Sequence, residues 1–135
     1  MKDTPGTKYI IGGTAAVNTR IETALKAYGT VKRLGGATRY VTSVMVAETF
    51  FKNPTVAVLA YSENFPDGLS GGALACSIDA PLLLTKGGKD TVAAAYTKAQ
   101  GIQRGYVMGG TTLIPDRVVR NVFAMGAEDS INIIK

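Results

Sequence analysis

"TVAVLAYSENFPDGLSGGALACSIDAPLLLT", Thr55 to Thr85, decides the fold. Its first six residues are an unbroken apolar run rich in Val and Ala, the pattern of a strand covered on both faces. A polar turn follows, with Glu63, Asn64, Pro66 and Asp67. Small residues then dominate from Phe65 to Ser77, and a second apolar run begins at Pro81. Strand, helix and strand at this spacing make a βαβ unit, because a parallel strand pair needs a helical crossover where an antiparallel pair needs only a turn.

The same alternation extends outward in both directions. Tyr9–Ile11 reads as a strand closed by Gly12-Gly13. Val17, Ile21, Leu25 and Tyr28 fall at helical spacing, and Gly29 ends that helix. Val31–Leu34 is a second strand, followed by Gly35-Gly36. Tyr40, Val44, Ala47 and Phe51 mark one face of a helix that stops at Asn53-Pro54. Downstream, a helix over Asp90–Gln100 is expected to turn Val92, Tyr96 and Ala99 inward, with Gly101 as its stop. A strand at Gly105–Met108, a helix over Pro115–Met125 and a last strand at Ile131–Ile134 complete the reading. The fold class is α/β: a three-layer α/β/α domain with a mainly parallel sheet.

An internal repeat bears on organisation. "YIIGGTAAVNTRIETALKAYG" (Tyr9–Gly29) aligns without a gap to "YVMGGTTLIPDRVVRNVFAMG" (Tyr106–Gly126), with seven of 21 positions identical. The apolar helix positions match as well: Val17 with Ile114, Ile21 with Val118, Leu25 with Val122. The alternative is two similar βα elements within one sheet. The Gly-Gly-Thr and Arg identities favour a fragment of a tandem array. Residues 1–135 then form a single α/β domain, in which 9–29 resembles the closing βα segment of a preceding repeat and 30–135 is one full repeat.

Composition removes several function classes. The chain has one cysteine, Cys76, and no histidine, so an internal disulfide, a histidine-based triad and a Cys/His zinc site are all excluded. Its apolar runs are too short to cross a bilayer. Fifteen Lys and Arg against ten Asp and Glu give a net charge of +5, which favours anionic partners. The basic residues are scattered and lack aromatic interleaving, which argues against nucleic acid. The first residues, "MKDTPGTKY", lack the apolar stretch of a secretory signal, so the protein is either cytosolic or a mature or excised piece of a longer exported chain.

Three sets of residues are candidates for chemistry. Gly12-Gly13-Thr14 and Gly109-Gly110-Thr111 lie between a strand and a helix, where backbone N–H groups can cradle phosphate. Neither has dinucleotide or P-loop spacing, so a tight turn is the simpler reading. Glu63 and Asp67 are paired acids suited to Mg²⁺ or to acid–base work, yet Asn64 as a cap and Asp67 in a first helical turn explain most of this segment. Arg39 opens a helix against its dipole and so requires an anionic ligand or an acid, Glu63 or Asp67. Cys76, on a helix of small residues that must pack closely, is expected to be a small buried apolar group.

Four stretches taken together, "RLGGATRYVTSVMVAETFF" (Arg33–Phe51), "ENFPDGLSGGALA" (Glu63–Ala75), "APLLLT" (Ala80–Thr85) and "VMGGTTLIPDRVV" (Val107–Val119), resemble the cell wall-binding repeats type 2 of clostridial surface-layer and cell-wall proteins. The resemblance implies a non-catalytic, extracellular module without cofactor or metal. It would anchor a surface protein noncovalently to an anionic secondary polymer of the Gram-positive wall. It implies three repeats packed as a pseudo-threefold trimer, here a homotrimer or an assembly with sister repeats. Polymer contacts carry over to Pro81, Leu82, Leu83 and Leu84, with Arg39, Asn64 and Asp67 as the polar side. The rival reading is a small Mg²⁺-dependent enzyme or nucleotide binder built on Glu63, Asp67 and the Gly-Gly-Thr turns.

Overall fold

A computed structural model describes residues 5–63 and 65–132. In chain order the elements are β1 (Lys8–Ile11), α1 (Thr19–Lys26), β2 (Val31–Leu34), α2 (Arg39–Phe50), β3 (Ala57–Tyr61), α3 (Phe65–Ser77), β4 (Leu82–Thr85), α4 (Thr91–Gln100), β5 (Gly105–Met108) and α5 (Asp116–Val122). Every strand pairing is parallel.

The strands do not form one sheet. β3 lies at the centre of a three-stranded sheet of order β4-β3-β5, while β1 and β2 form a separate two-stranded sheet. Hydrophobic periodicity finds strands but does not assign their partners, so this division was not foreseen.

β3 is the buried strand that its sequence demands: Ala57, Val58, Leu59 and Ala60 are all fully buried. Alternation divides its side chains between two layers. Ala57 and Leu59 pack with Leu83 against Ala47 of α2, Ala93 and Tyr96 of α4, and Val118 and Val122 of α5. Val58 and Leu82 pack instead against Leu74 and Ala75 of α3. This is the expected three-layer α/β/α arrangement. Burial among apolar neighbours pushes the Tyr96 phenol above its ordinary pKa.

The helices start and stop for local reasons. Asn18 and Thr38 cap α1 and α2 by accepting the N–H of Ile21 and Val41. Gly101 ends α4 in the left-handed conformation, at φ 70°. The small residues of α3 have the expected purpose: a methyl group at Gly71 would lie 3.2 Å from both Leu82 and Met108.

Several expectations need correction. The inward face of α4 is Ala93, Tyr96 and Thr97; Ala99 is exposed, because the stripe is set one residue off the predicted phase. Helix α5 ends at Val122 instead of Met125, since the chain turns at Phe123 and Ala124, the latter at φ 50°. Pro115 is its cap and not its first turn. Cys76 is exposed, on the side of α3 that faces a groove. Of the expected last strand, Ile131 and Asn132 are outside any strand, and residues 133–134 lie outside the described residues.

The two strands of the smaller sheet, β1 and β2, end at glycines that touch. A methyl group on Gly35 would sit 2.5 Å from the carbonyl carbon of Gly12 and the nitrogen of Gly13. Two backbones therefore touch where each βα turn begins, and only glycine fits. Gly35→Ala is expected to lower stability by about 1–3 kcal/mol in urea unfolding. Gly87→Ala, at a position with open space around it, should leave the midpoint unchanged.

Candidate ligand site at the carboxyl ends of the strands

In a parallel sheet the loops after the strands gather at one edge, and ligands bind there. Register does the gathering in this chain. Tyr61 of β3 pairs with Thr85 of β4, so the residues that follow, Ser62-Glu63 and Lys86, emerge side by side. Lys86 Nζ donates to Glu63 Oε1 at 2.6 Å. Arg39, the first residue of α2, reaches the same place and donates from Nη1 to the Ser62 carbonyl at 2.7 Å. Ser62 Oγ and Tyr40 Oη lie 3.2 Å apart in a further hydrogen bond.

The electrostatics follow from these contacts. The hydrogen bond from Lys86 holds the Glu63 carboxyl below its ordinary pKa of 4.5, and the nearby charge of Arg39 adds to the effect. Lys86 is raised in turn by the same hydrogen bond. Glu63 therefore has a different partner from the one expected. It pairs with Lys86, and Arg39 is a charged neighbour held on a backbone carbonyl. Arg39–Asp67 pairing is also not seen among the described residues. Asp67 sits half-buried in the first turn of α3, where an acid suits the helix dipole. Asn64 lies outside the described residues.

Beside these charges runs an apolar groove of about 780 Å³, bounded by the Gly12-Gly13 turn, Arg39 and Ser43 of α2, Ala75 and Cys76 of α3, and Leu82 and Leu84 of β4. The run from Pro81 to Leu84 is thereby divided. Leu82 and Leu84 line the groove, whereas Pro81 and Leu83 are fully buried. The Leu84 N–H points away from β3 and donates to Ser43 Oγ at 3.1 Å.

Lys86 is the functional candidate that sequence reasoning missed. It stands 23 positions from Glu63. Its only signal was its place directly after an apolar strand, next to the strand that Glu63 follows.

The residues proposed for phosphate or metal are used differently. Gly12 and Gly109 have φ of 128° and 141°, which explains glycine at both turns. Among the described residues no three carboxylate or thiol groups gather to hold a metal ion, and Glu63 is committed to Lys86. No helix among them is long and apolar enough to cross a membrane.

The layered parallel fold and a charged strand-end loop cluster beside an apolar groove define a small α/β binding module. The chain belongs to the cell wall binding domain 2 family, whose model matches residues 33–119. It is therefore a cell-wall-binding module of a Gram-positive surface protein. Among solved structures it is similar to Cwp8 from Clostridium difficile, with a TM-score of 0.74 at 25% identity over 86% of this chain and 19% of that one. Cwp6 from the same organism matches with a TM-score of 0.61 at 29% identity, over 77% of this chain and 17% of that one. The N-acetylmuramoyl-L-alanine amidase LytC of Bacillus subtilis is 28% identical over 78% of this chain and 21% of the amidase. The amidase enhancer of that organism is 34% identical over 63% of this chain and 12% of its own length. The chain thus spans about a fifth or less of each relative.

The Glu63–Lys86 pair makes a pH-dependent feature. Glu63 has a lowered folded pKa, so its contribution is complete above the unfolded value and is lost as pH falls through the lower, folded one. Lys86 has a raised pKa, so its share persists below its unfolded value and is lost as pH rises through the folded one. Followed by carboxyl NMR, Glu63 should titrate below an ordinary glutamate, and Lys86→Met should move its midpoint upward. An unmoved midpoint would remove Lys86 as the cause.

Proposed function

We propose that this module is non-catalytic and anchors a surface protein to an anionic secondary polymer of the cell wall. The observation that supports this most directly is the placement of Arg39. It stands at the mouth of the apolar groove, fixed to the end of β3 by the Ser62 carbonyl, with Lys86 alongside. Two cations that converge at the carboxyl edge of the sheet suit a polyanion, and the groove suits the less polar faces of sugar rings. Leu82 and Leu84 are its apolar wall, and Pro81 and Leu83 hold that wall from the core. Asn64 and Asp67 complete the polar side.

Glu63 has a specific place in this reading: it holds Lys86 and lies near Arg39, and so limits the positive potential of the site. Residues 30–135 act as one full repeat, and 9–29 as the closing segment of the one before. Three such units pack together, either as sister repeats or as a homotrimer. The exposed Tyr9, Ile11, Ile21 and Tyr28 are the surfaces that a neighbour would cover.

The test is co-sedimentation with Gram-positive cell walls, intact and stripped of their anionic polymer. Binding is expected to intact walls only and to weaken as salt rises. Arg39→Ala should weaken it about tenfold or more with an unchanged circular dichroism spectrum, whereas Glu63→Gln should tighten it at low salt. Equal binding by wild type and Arg39→Ala would remove Arg39 as a contact. Light scattering should report a trimer; a monodisperse monomer would leave only the sister-repeat form of the assembly.

A further inference from the structure

The two sheets look unrelated until the internal repeat is laid over them. The repeat equates β1 with β5 and α1 with α5, 97 residues apart. At β1, Lys8 N–H donates to the Thr30 carbonyl and Gly12 N–H to the Leu34 carbonyl, so residues 8, 10 and 12 face β2. Their counterparts are Gly105, Val107 and Gly109. At β5, the Arg104 carbonyl accepts from Ala57 N–H, so residues 104, 106 and 108 face β3. The residues that match those facing β2 are therefore the ones that point away from the sheet, along an edge with no strand beside it among the described residues.

Superposing the two halves yields a single four-stranded order: β4, β3, then β5 or its equivalent β1, then β2. We infer that the outer edge of β5 is the seat for the opening strand and helix of a second copy of the repeat, bound as β2 and α2 are bound to β1. Consecutive repeats would then share a sheet across their boundary.

Three further contacts beside β1 have counterparts beside β5. The Tyr9 ring, 37% exposed, meets Phe50 of α2 edge-on at 4.8 Å, and its counterpart Tyr106 is 47% exposed. Gly13 has the Gly36 carbonyl 3.8 Å from where a methyl group would stand, while Gly110 has open space there. Arg33 Nη1 donates to the Gly12 carbonyl at 2.8 Å, and Gly109 repeats Gly12 in sequence and in positive φ. One contact has no counterpart. The salt bridge of Arg33 to Glu22, at 2.9 Å, meets Val119 in the second βα unit, so backbone pairing and the aromatic contact carry that junction.

The inference does not depend on the polymer. It is tested with a tandem in which the full chain is followed by a flexible linker and a second copy of residues 30–135, with the first copy segmentally labelled. Amide exchange at Val107 and Gly109 of the first copy is the readout, and Leu59 of β3 reports that the fold is intact. Exchange at Val107 and Gly109 should be about tenfold or more slower than in the single chain. A tandem whose second copy carries Lys32→Pro and Leu34→Pro lacks the N–H groups that face the seat, and should exchange as the single chain does. Equal rates in the two tandems overturn the inference. Slow exchange in the single chain as well would show that the last residues of the chain cover the edge, and overturns it equally.

Discussion

The position of β3 is the constraint from which the rest of the structure follows. Among the described residues it is the only strand of its sheet with a partner on both sides, and four of its five residues are fully buried. A strand in that position cannot carry a polar side chain without a partner, and its four fully buried residues are accordingly Val, Leu and Ala. Its two faces set the two helical layers: α2, α4 and α5 on one side, and α3 on the other. Its register with β4 then brings Ser62, Glu63 and Lys86 together. The site is a consequence of pairing in the core, and a one-residue slip of β4 would separate its charges.

The site combines features that favour different ligands. The groove is lined mainly by Gly, Ala, Val and Leu; Arg39 stands at the start of α2, and the acid Asp79, just after α3, also lines it. A small polar ligand would gain little from such a surface, and an apolar one would gain nothing from Arg39 and Lys86. A long molecule with regularly placed negative groups, as proposed above, would use both. The Glu63–Lys86 pair is exposed and weak by nature. A competing anion therefore has only a modest interaction to displace before it reaches the lysine.

Much of this architecture was legible in the sequence because its signals are local. Apolar runs bounded by glycine gave the strands. Asn18, Thr38 and Gly101 mark helix ends through their own chemistry. The small residues of α3 announced a close approach, seen at Gly71. What was not legible depends on distant partners. The division into two sheets follows from which strand lies beside which. The Glu63–Lys86 pair follows from the β3–β4 register. Cys76 was expected inside because its neighbours are small, but the helix turns that residue toward the groove. Ala99 was expected inside because a stripe of Val92, Tyr96 and Ala99 and one of Ala93, Tyr96 and Thr97 share Tyr96, and only packing against α2, β4 and α5 chooses between them. Of the candidate site, the position of Arg39 was legible, and its partner was not.

The hydrogen bond from the Leu84 amide to Ser43 has a consequence for solubility. β4 ends the central sheet on the groove side, and a strand end-on to solvent with free N–H groups invites a stray strand from another molecule. A serine from the overlying helix occupies one of those groups and keeps α2 close above the others. The groove can thus present a strand edge lined with leucine while one of its outward N–H groups is already engaged, which lowers the edge's appeal to a stray strand.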